Sequence, residues 1–289
     1  MLKLYRKAIV VLCAATFVGV FVGAAAAENV YLYDFDSNVG QTLIVDQKLT
    51  GQDGWYAAPH DDSEDIYVRA GHVNFSGNYA EWEYVDDTQT VLYRDNDSNW
   101  SYSLVDGQDF ELSGIFKTNT AEDIVNRAGL TYEAAGGGDA SRDWMLVGTA
   151  RASGLKWEVR EFDGSSGHNE LLVETLALPV TDEDTVYKIG MEATAKGGNT
   201  YDFQLYYQDI AGGGNKTYYN GGEVFTVTFR ENLSSMYDML YVRTANYDPP
   251  FSSAIVDEIR LSQVPEPSTL ALLGCGLIGL LAYAWRKRK

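Results

Sequence analysis

The sequence predicts an all-β fold of two packed antiparallel sheets, with an apolar segment at each end. Three observations predict it. Apolar and polar residues alternate with a period of two in one stretch after another. Turn signals rich in glycine recur between those stretches. The composition favours strands and turns, with Tyr 20, Phe 11, Trp 6 and Gly 28 against Pro 6. Between the ends there is no sustained helical stripe, no repeat of fixed period and no long linker.

The alternation is clearest from Tyr187 to Ala195, where Ile189, Met191 and Ala193 interleave with Lys188, Glu192 and Thr194. It stops at Lys196-Gly197-Gly198-Asn199 and resumes as Phe203, Leu205 and Tyr207 against Asp202, Gln204 and Gln208. Residues 187–208 therefore read as a hairpin. Phe110-Glu111-Leu112-Ser113, Trp157-Glu158-Val159-Arg160 and Phe225-Thr226-Val227-Thr228-Phe229 alternate in the same way. Further strands start near Val30, Ile66, Gly129, Met145, Leu171, Leu240 and Ile255. Turn signals lie at Gly136-Gly137-Gly138-Asp139, Asp163–Gly167 and Gly212-Gly213-Gly214-Asn215. A dozen or so half-buried strands across residues 28–262 suit one sandwich better than two domains.

The ends carry addresses. Lys3, Arg6 and Lys7 precede an apolar run to Ala27, and Ala25-Ala26-Ala27 is a small-x-small cleavage site. Residues 1–27 read as a signal peptide removed by signal peptidase between Ala27 and Glu28. At the other end Val264-Pro265-Glu266-Pro267 precedes an apolar run from Leu270 to Trp285, then Arg286-Lys287-Arg288-Lys289. A helix over that run spans about 24 Å, and snorkelling basic side chains extend its reach toward a full bilayer core. The terminal charges act as a basic stop on the cytoplasmic side, so the preceding domain lies outside.

This order of Pro-Glu-Pro, one short apolar segment and a basic tail resembles the PEP-CTERM sorting signal, over residues 263–289. The resemblance implies a substrate of an exosortase, which cuts near Pro265-Glu266-Pro267. The expected route is a precursor held in the inner membrane with its ectodomain in the periplasm. Delivery then follows to the cell surface or the exopolysaccharide and biofilm matrix of a Gram-negative-type bacterium.

The formal net charge is −19, from 22 basic and 41 acidic residues. Without the two ends, residues 28–264 keep 15 basic and 40 acidic side chains, a balance of −25. That excludes a general nucleic-acid binder, which needs a basic face for phosphate. Both cysteines, Cys13 and Cys275, lie in the apolar ends. The ectodomain therefore has no disulfide and no thiol chemistry.

The layout of residues 28–262 resembles the concanavalin A-like, or laminin-G-like, jelly roll. The residues behind this are the opening strand Tyr31-Leu32-Tyr33-Asp34-Phe35-Asp36, the segment Gly51-Gln52-Asp53-Gly54-Trp55, the hairpin at 187–208 and the closing strand Val256–Leu261. The resemblance implies a fold shared by lectins, glycan-binding modules, some glycosidases and plain structural modules, and fold alone does not choose among them.

The expected function is a non-catalytic surface or matrix protein with a lectin-like site for polysaccharide. A polysaccharide-active glycosidase or lyase is one alternative, and a plain structural or adhesion module is another. For hydrolysis the sequence offers Glu161-Phe162-Asp163 and Glu81-Trp82-Glu83. The first lacks the distal acid, since Ser166 stands in its place, and Asp163-Gly164 reads as a turn. Trp55 and Trp100 lie in polar, turn-like surroundings and are the candidate glycan-stacking platforms. Trp157 lies in an alternating strand and belongs to the core. His60, His72 and His168 show no zinc spacing. Calcium is the expected ion, with Asp95, Asp97 and Asn99 at alternate loop positions. Asp257 joins them as a candidate ligand: it shares parity with Ile255, Ile259 and Leu261, and so is expected on the core side.

Overall fold

The computed structural model describes residues 29–35, 43–57, 66–71, 77–82, 89–95, 104–117, 124–133, 142–150, 154–164, 167–177, 185–233, 239–246, 254–263 and 286. The expected antiparallel jelly-roll sandwich is present. Apart from Asn29, its strand residues lie in one unit, Val30–Gln263. Among the described residues no helix is long and apolar enough to cross a membrane.

The strands in chain order are β1 (Asn29–Tyr33), β2 (Trp55–Ala57), β3 (Ile66–Ala70), β4 (Asn78–Trp82), β5 (Gln89–Asp95), β6 (Phe110–Lys117), β7 (Ile124–Glu133) and β8 (Arg142–Ala150). They continue as β9 (Gly154–Phe162), β10 (His168–Ala177), β11 (Val186–Gly197), β12 (Thr200–Asp209), β13 (Thr217–Tyr218), β14 (Val224–Thr228), β15 (Met239–Asn246) and β16 (Ala254–Gln263). Sheet A runs β13-β12-β11-β6-β16-β4-β3, with β14 also on β12 and β1 also on β16. Sheet B runs β10-β9-β8-β7-β15-β5-β2.

The alternating stretches become the inner faces. Leu261, Leu112, Met191 and Leu205 form one row across β16, β6, β11 and β12, and all four are buried. Leu92, Ala128, Val147 and Trp157 lie at matching positions of sheet B and are also buried. Trp157 packs at the centre, as expected. Its indole N–H donates to the Gly190 carbonyl of the facing sheet at 2.8 Å, which gives a buried donor its partner. Asn126 of β7 makes a similar cross-sheet bond to the Ile255 carbonyl at 2.6 Å.

The hairpin at 187–208 has the expected register, with Met191 opposite Leu205 and Gly197 opposite Thr200. Its turn uses the left-handed backbone of Gly197 and Gly198. Asp163–Gly167 also closes a turn, since Asp163 N–H donates to the Gly167 carbonyl at 3.0 Å.

Two expectations about side-chain placement are corrected. Trp55 is not a surface platform but a core residue, 1% exposed. The Gln52-Asp53-Gly54 segment is a turn, as its residues suggest, with Asp53 and Gly54 both at positive φ. That backbone feeds Trp55 inward, opposite Arg94. The indole N–H donates to the Tyr33 hydroxyl at 2.8 Å. Tyr33 donates in turn to Asp53 at 3.0 Å, and Arg94 Nε donates to the Asp53 carbonyl at 2.7 Å. The polar neighbour Asp53 is thus one of the buried partners of this cluster. Burial and the Asp53 charge push the Tyr33 phenol well above its usual range, so it stays neutral.

Asp257 does not share parity with both Ile255 and Ile259. It is the extra residue of a β-bulge: Val256 pairs with Phe116 and Glu258 with Ile115, skipping Asp257. The bulge reverses parity along β16. Ile255 joins Tyr79 and Val186 in a small outer cluster, while Ile259 and Leu261 enter the main core. Asp257 itself is 9% exposed.

Candidate functional site

Three groups of side chains are candidates for chemistry. Two are carboxylate pairs, and both are closed.

The first pair is Glu111 and Glu192, directly opposite each other on β6 and β11. Like charges so placed repel. Lys216, just before β13, reaches between them, 2.5 Å from Glu192 and 3.6 Å from Glu111. Tyr206 of β12 donates its hydroxyl to Glu111, and Tyr218 donates to Glu192 at 3.0 Å. The Tyr206 ring lies over Gly190, where a Cβ would meet it at 2.4 Å. Burial and the Glu111 charge push the Tyr206 phenol far up. The ammonium caps its ring at 3.8 Å from the centroid.

The second pair is Asp143 of β8 and Glu161 of β9, both buried. Glu161 is therefore not on a cleft strand. It accepts the Arg230 backbone N–H at 2.6 Å, and Asp143 accepts that of Phe162. Burial raises both carboxyls above the ordinary carboxylate range, and for Glu161 the Asp143 charge adds to the rise. Such a pKa pattern suits a general acid. The burial does not, because a polysaccharide cannot reach either group.

The third group lies on the outer face of sheet B. Register places Trp144 of β8 opposite Arg160 of β9, Leu146 opposite Glu158, and Gly148 opposite Lys156. Arg127 of β7 lies opposite Gly148 on the other side. Glu158 is 1% exposed and holds three cations: Arg127, Lys156 at 3.0 Å and Arg160 at 3.2 Å. Burial would raise its carboxyl, but the three cations, Arg127 foremost, outweigh that and hold it below the usual range. Burial and the Arg127 charge push Lys156 down. The guanidinium of Arg160 stands 5.6 Å from the Trp144 ring. His168 of β10 lies against Trp144, ring centroids 4.3 Å apart and tilted by 37°, with Phe162 6.4 Å from His168. Trp144 Nε1, Arg160 Nε and His168 Nε2 are all buried with no hydrogen-bond partner among the described residues. Buried polar atoms of this kind usually find partners.

Sequence reading missed this group. The even positions of β9, Lys156, Glu158 and Arg160, signal a polar outer face. Only the register adds Trp144, Arg127 and His168 to it.

Several sequence-predicted residues lie outside the described residues. They are Trp100, Asp97 and Asn99, the signal cleavage residues Ala25 and Ala27, and the motif Val264, Pro265, Glu266 and Pro267. Lys287, Arg288 and Lys289 of the basic stop lie outside as well, whereas Arg286 is described and exposed. Asp95 ends β5 opposite Met239. Among the described residues no group of three or more His, Cys, Asp or Glu side chains is placed to hold a metal ion.

Residues 263–289 match the family model of the PEP-CTERM protein-sorting motif. The chain carries a PEP-CTERM sorting signal. This signal marks an exported protein, processed at the membrane by an exosortase and sorted to the cell surface of a Gram-negative bacterium. No curated protein matches the sequence.

The PEP-CTERM protein's sandwich is similar to three solved structures, among others. One is a protein of unknown function from Shewanella oneidensis MR-1, 13% identical, covering 83% of this chain and 87% of that one, with TM-score 0.46. The second is the CBM2 module of the evolved Dit of Lactobacillus casei BL23 phage J-1, 16% identical, covering 83% and 98%, TM-score 0.44. The third is the marine PL-14 alginate lyase from Aplysia kurodai, 12% identical, covering 78% and 99%, TM-score 0.48. At these scores the likenesses carry no functional argument.

Proposed function

We propose that the exported sandwich is a non-catalytic, carbohydrate-binding module of the cell surface or exopolysaccharide matrix, and that it holds its glycan on the outer face of sheet B. The observation that carries this reading is the half-buried Trp144 ring on the outer face of sheet B, with His168 and Arg160 beside it. A sugar offers a ring face for the aromatic and hydroxyls for the charged side chains around it. The two carboxylate pairs support a non-catalytic role. One is bridged by Lys216 and the other is buried, so neither leaves a free acid and base across a cleft.

In this reading signal peptidase removes residues 1–27 and the apolar run holds the precursor in the inner membrane. The exosortase then cuts near Pro265-Glu266-Pro267. Calcium at Asp95, Asp97 and Asn99, with or without Asp257, is a separate element of the proposal.

The test is a glycan array probed with the full chain in detergent micelles, with calcium and with EDTA. Binding that falls sharply in Trp144→Ala, with the thermal unfolding midpoint retained, supports the site. Loss of binding in EDTA supports the calcium element. Depolymerisation of a bound glycan, or binding unchanged in Trp144→Ala, overturns the reading.

A further inference from the structure

We propose that Gln263 is a positioning residue for sorting. Its side chain locks the end of the folded domain and makes Val264 the first residue that an exosortase can engage. The proposal rests on the reading that the exosortase cuts near Pro265-Glu266-Pro267, and adds what limits access to that motif.

The lock is the first argument. The ends of a domain usually fray unless something ties them down. Gln263 ends β16 opposite Phe110, yet it is 1% exposed. Its side-chain amide meets the backbone of Val105, 158 residues earlier. Nε2 donates to the Val105 carbonyl at 2.7 Å, and Oε1 accepts the Val105 N–H at 2.9 Å. An amide offers a donor and an acceptor side by side and so matches both groups. An ionised carboxylate would set an acceptor against the Val105 carbonyl.

The segment that holds Gln263 is the second, because it is itself pinned. Leu104 is buried. Gly107 N–H donates to the Tyr201 hydroxyl of β12 at 2.9 Å, and Asp109 accepts the Ala195 N–H of β11 at 2.8 Å. Residues 104–109 are thus a strap, bonded on one side to the β11–β12 hairpin and on the other to the last residue of β16. Releasing Gln263 breaks two hydrogen bonds and uncovers a buried side chain.

Chain length is the third. One residue, Val264, separates Gln263 from Pro265. An extended chain covers at most about 3.6 Å per residue, so Pro265 lies within about 7 Å of Gln263 and Pro267 within about 14 Å. A cutting group must come within about 3.5 Å of the scissile carbonyl. An enzyme that also grips residues on the N-terminal side of its cut meets the sandwich there. Any residue before Val264 enters its cleft only after the lock opens.

The test uses the full chain in a Gram-negative host that carries an exosortase, and in the same host without it. Pulse–chase reads the rate from precursor to product, and mass spectrometry reads where the product ends. Gln263→Ala should speed processing about tenfold, the equilibrium weight of one to two ordinary hydrogen bonds. Six Gly and Ser residues inserted between Gln263 and Val264 should speed it as well. The insertion leaves lock and core untouched, so it carries the test even if Gln263→Ala fails to fold. Hydrogen exchange at the Val105 N–H should rise in Gln263→Ala and stay unchanged in the insertion variant. A rate unchanged by the insertion overturns the proposal and leaves the exosortase reading standing. A rate unchanged in folded Gln263→Ala overturns the assignment to Gln263, and unchanged Val105 exchange in it overturns the lock. Product formed equally without the exosortase, or from no variant, overturns both readings.

Discussion

The two outer faces of the sandwich use the same device with opposite balance. On sheet A one cation, Lys216, serves two carboxylates, and two tyrosine hydroxyls complete the bonding. On sheet B one buried carboxylate, Glu158, serves three cations, and Glu170 also meets Arg160 at the rim. The first arrangement is closed and holds strands together. The second gathers cations around one buried carboxylate. The same residue types therefore build opposite charge patterns on the two faces.

The largest effect that sharpens this comparison is at Glu158. Glu158→Gln leaves three cations crowded around a neutral group. It should cost about 3–5 kcal/mol, the usual loss when a buried ion pair is broken, read from denaturant unfolding. A loss near zero would mean that the three cations are balanced without Glu158. Next comes Gly190→Ala, which forces the Tyr206 ring off sheet A. It should cost about 1–3 kcal/mol, as overpacking does, without changing glycan binding. Lys216→Met should cost less, about 0.2–1 kcal/mol, because all three charged groups are partly solvated. A much larger loss would make the sheet A group more than a staple.

The smallest effect is in the pH profile. Asp143 and Glu161 have raised folded-state values, so the folded chain holds their protons more tightly than the unfolded chain. Their contribution to stability should rise as pH falls from those raised values to the ordinary carboxylate range of about 4. Asp143→Asn with Glu161→Gln should remove that rise. Glu158 has the opposite sign: its stabilisation is present above the ordinary range and is lost as pH falls through its lowered value. Denaturant midpoints measured across acid pH separate the two. A double variant that keeps the rise would place its source elsewhere.

Legibility in the sequence follows local regularity. β6, β11 and β12 alternate strictly and are readable, with the turn at Gly197-Gly198 between the last two. β5 is not among the strands that the alternation predicts. Its inner positions include the buried Arg94, and a buried arginine breaks the apolar pattern. Trp55 reads as a surface residue because the tertiary partners of its turn, Tyr33 and Arg94, lie outside the turn in sequence. Asp257 reads with the wrong parity because a bulge leaves no mark in the residue pattern.

By itself the sequence determined the β class, the turns, the acidic charge and the sorting signal. Each depends on chemistry among near neighbours, such as alternation, glycine at turns or a Pro-Glu-Pro motif before an apolar run. Tertiary structure alone decided that Trp144, Arg160, His168 and Arg127 share one face, and that Glu111 and Glu192 close around Lys216. Those groupings come from strand register and from chain folding back across a sheet, which join residues far apart in the sequence.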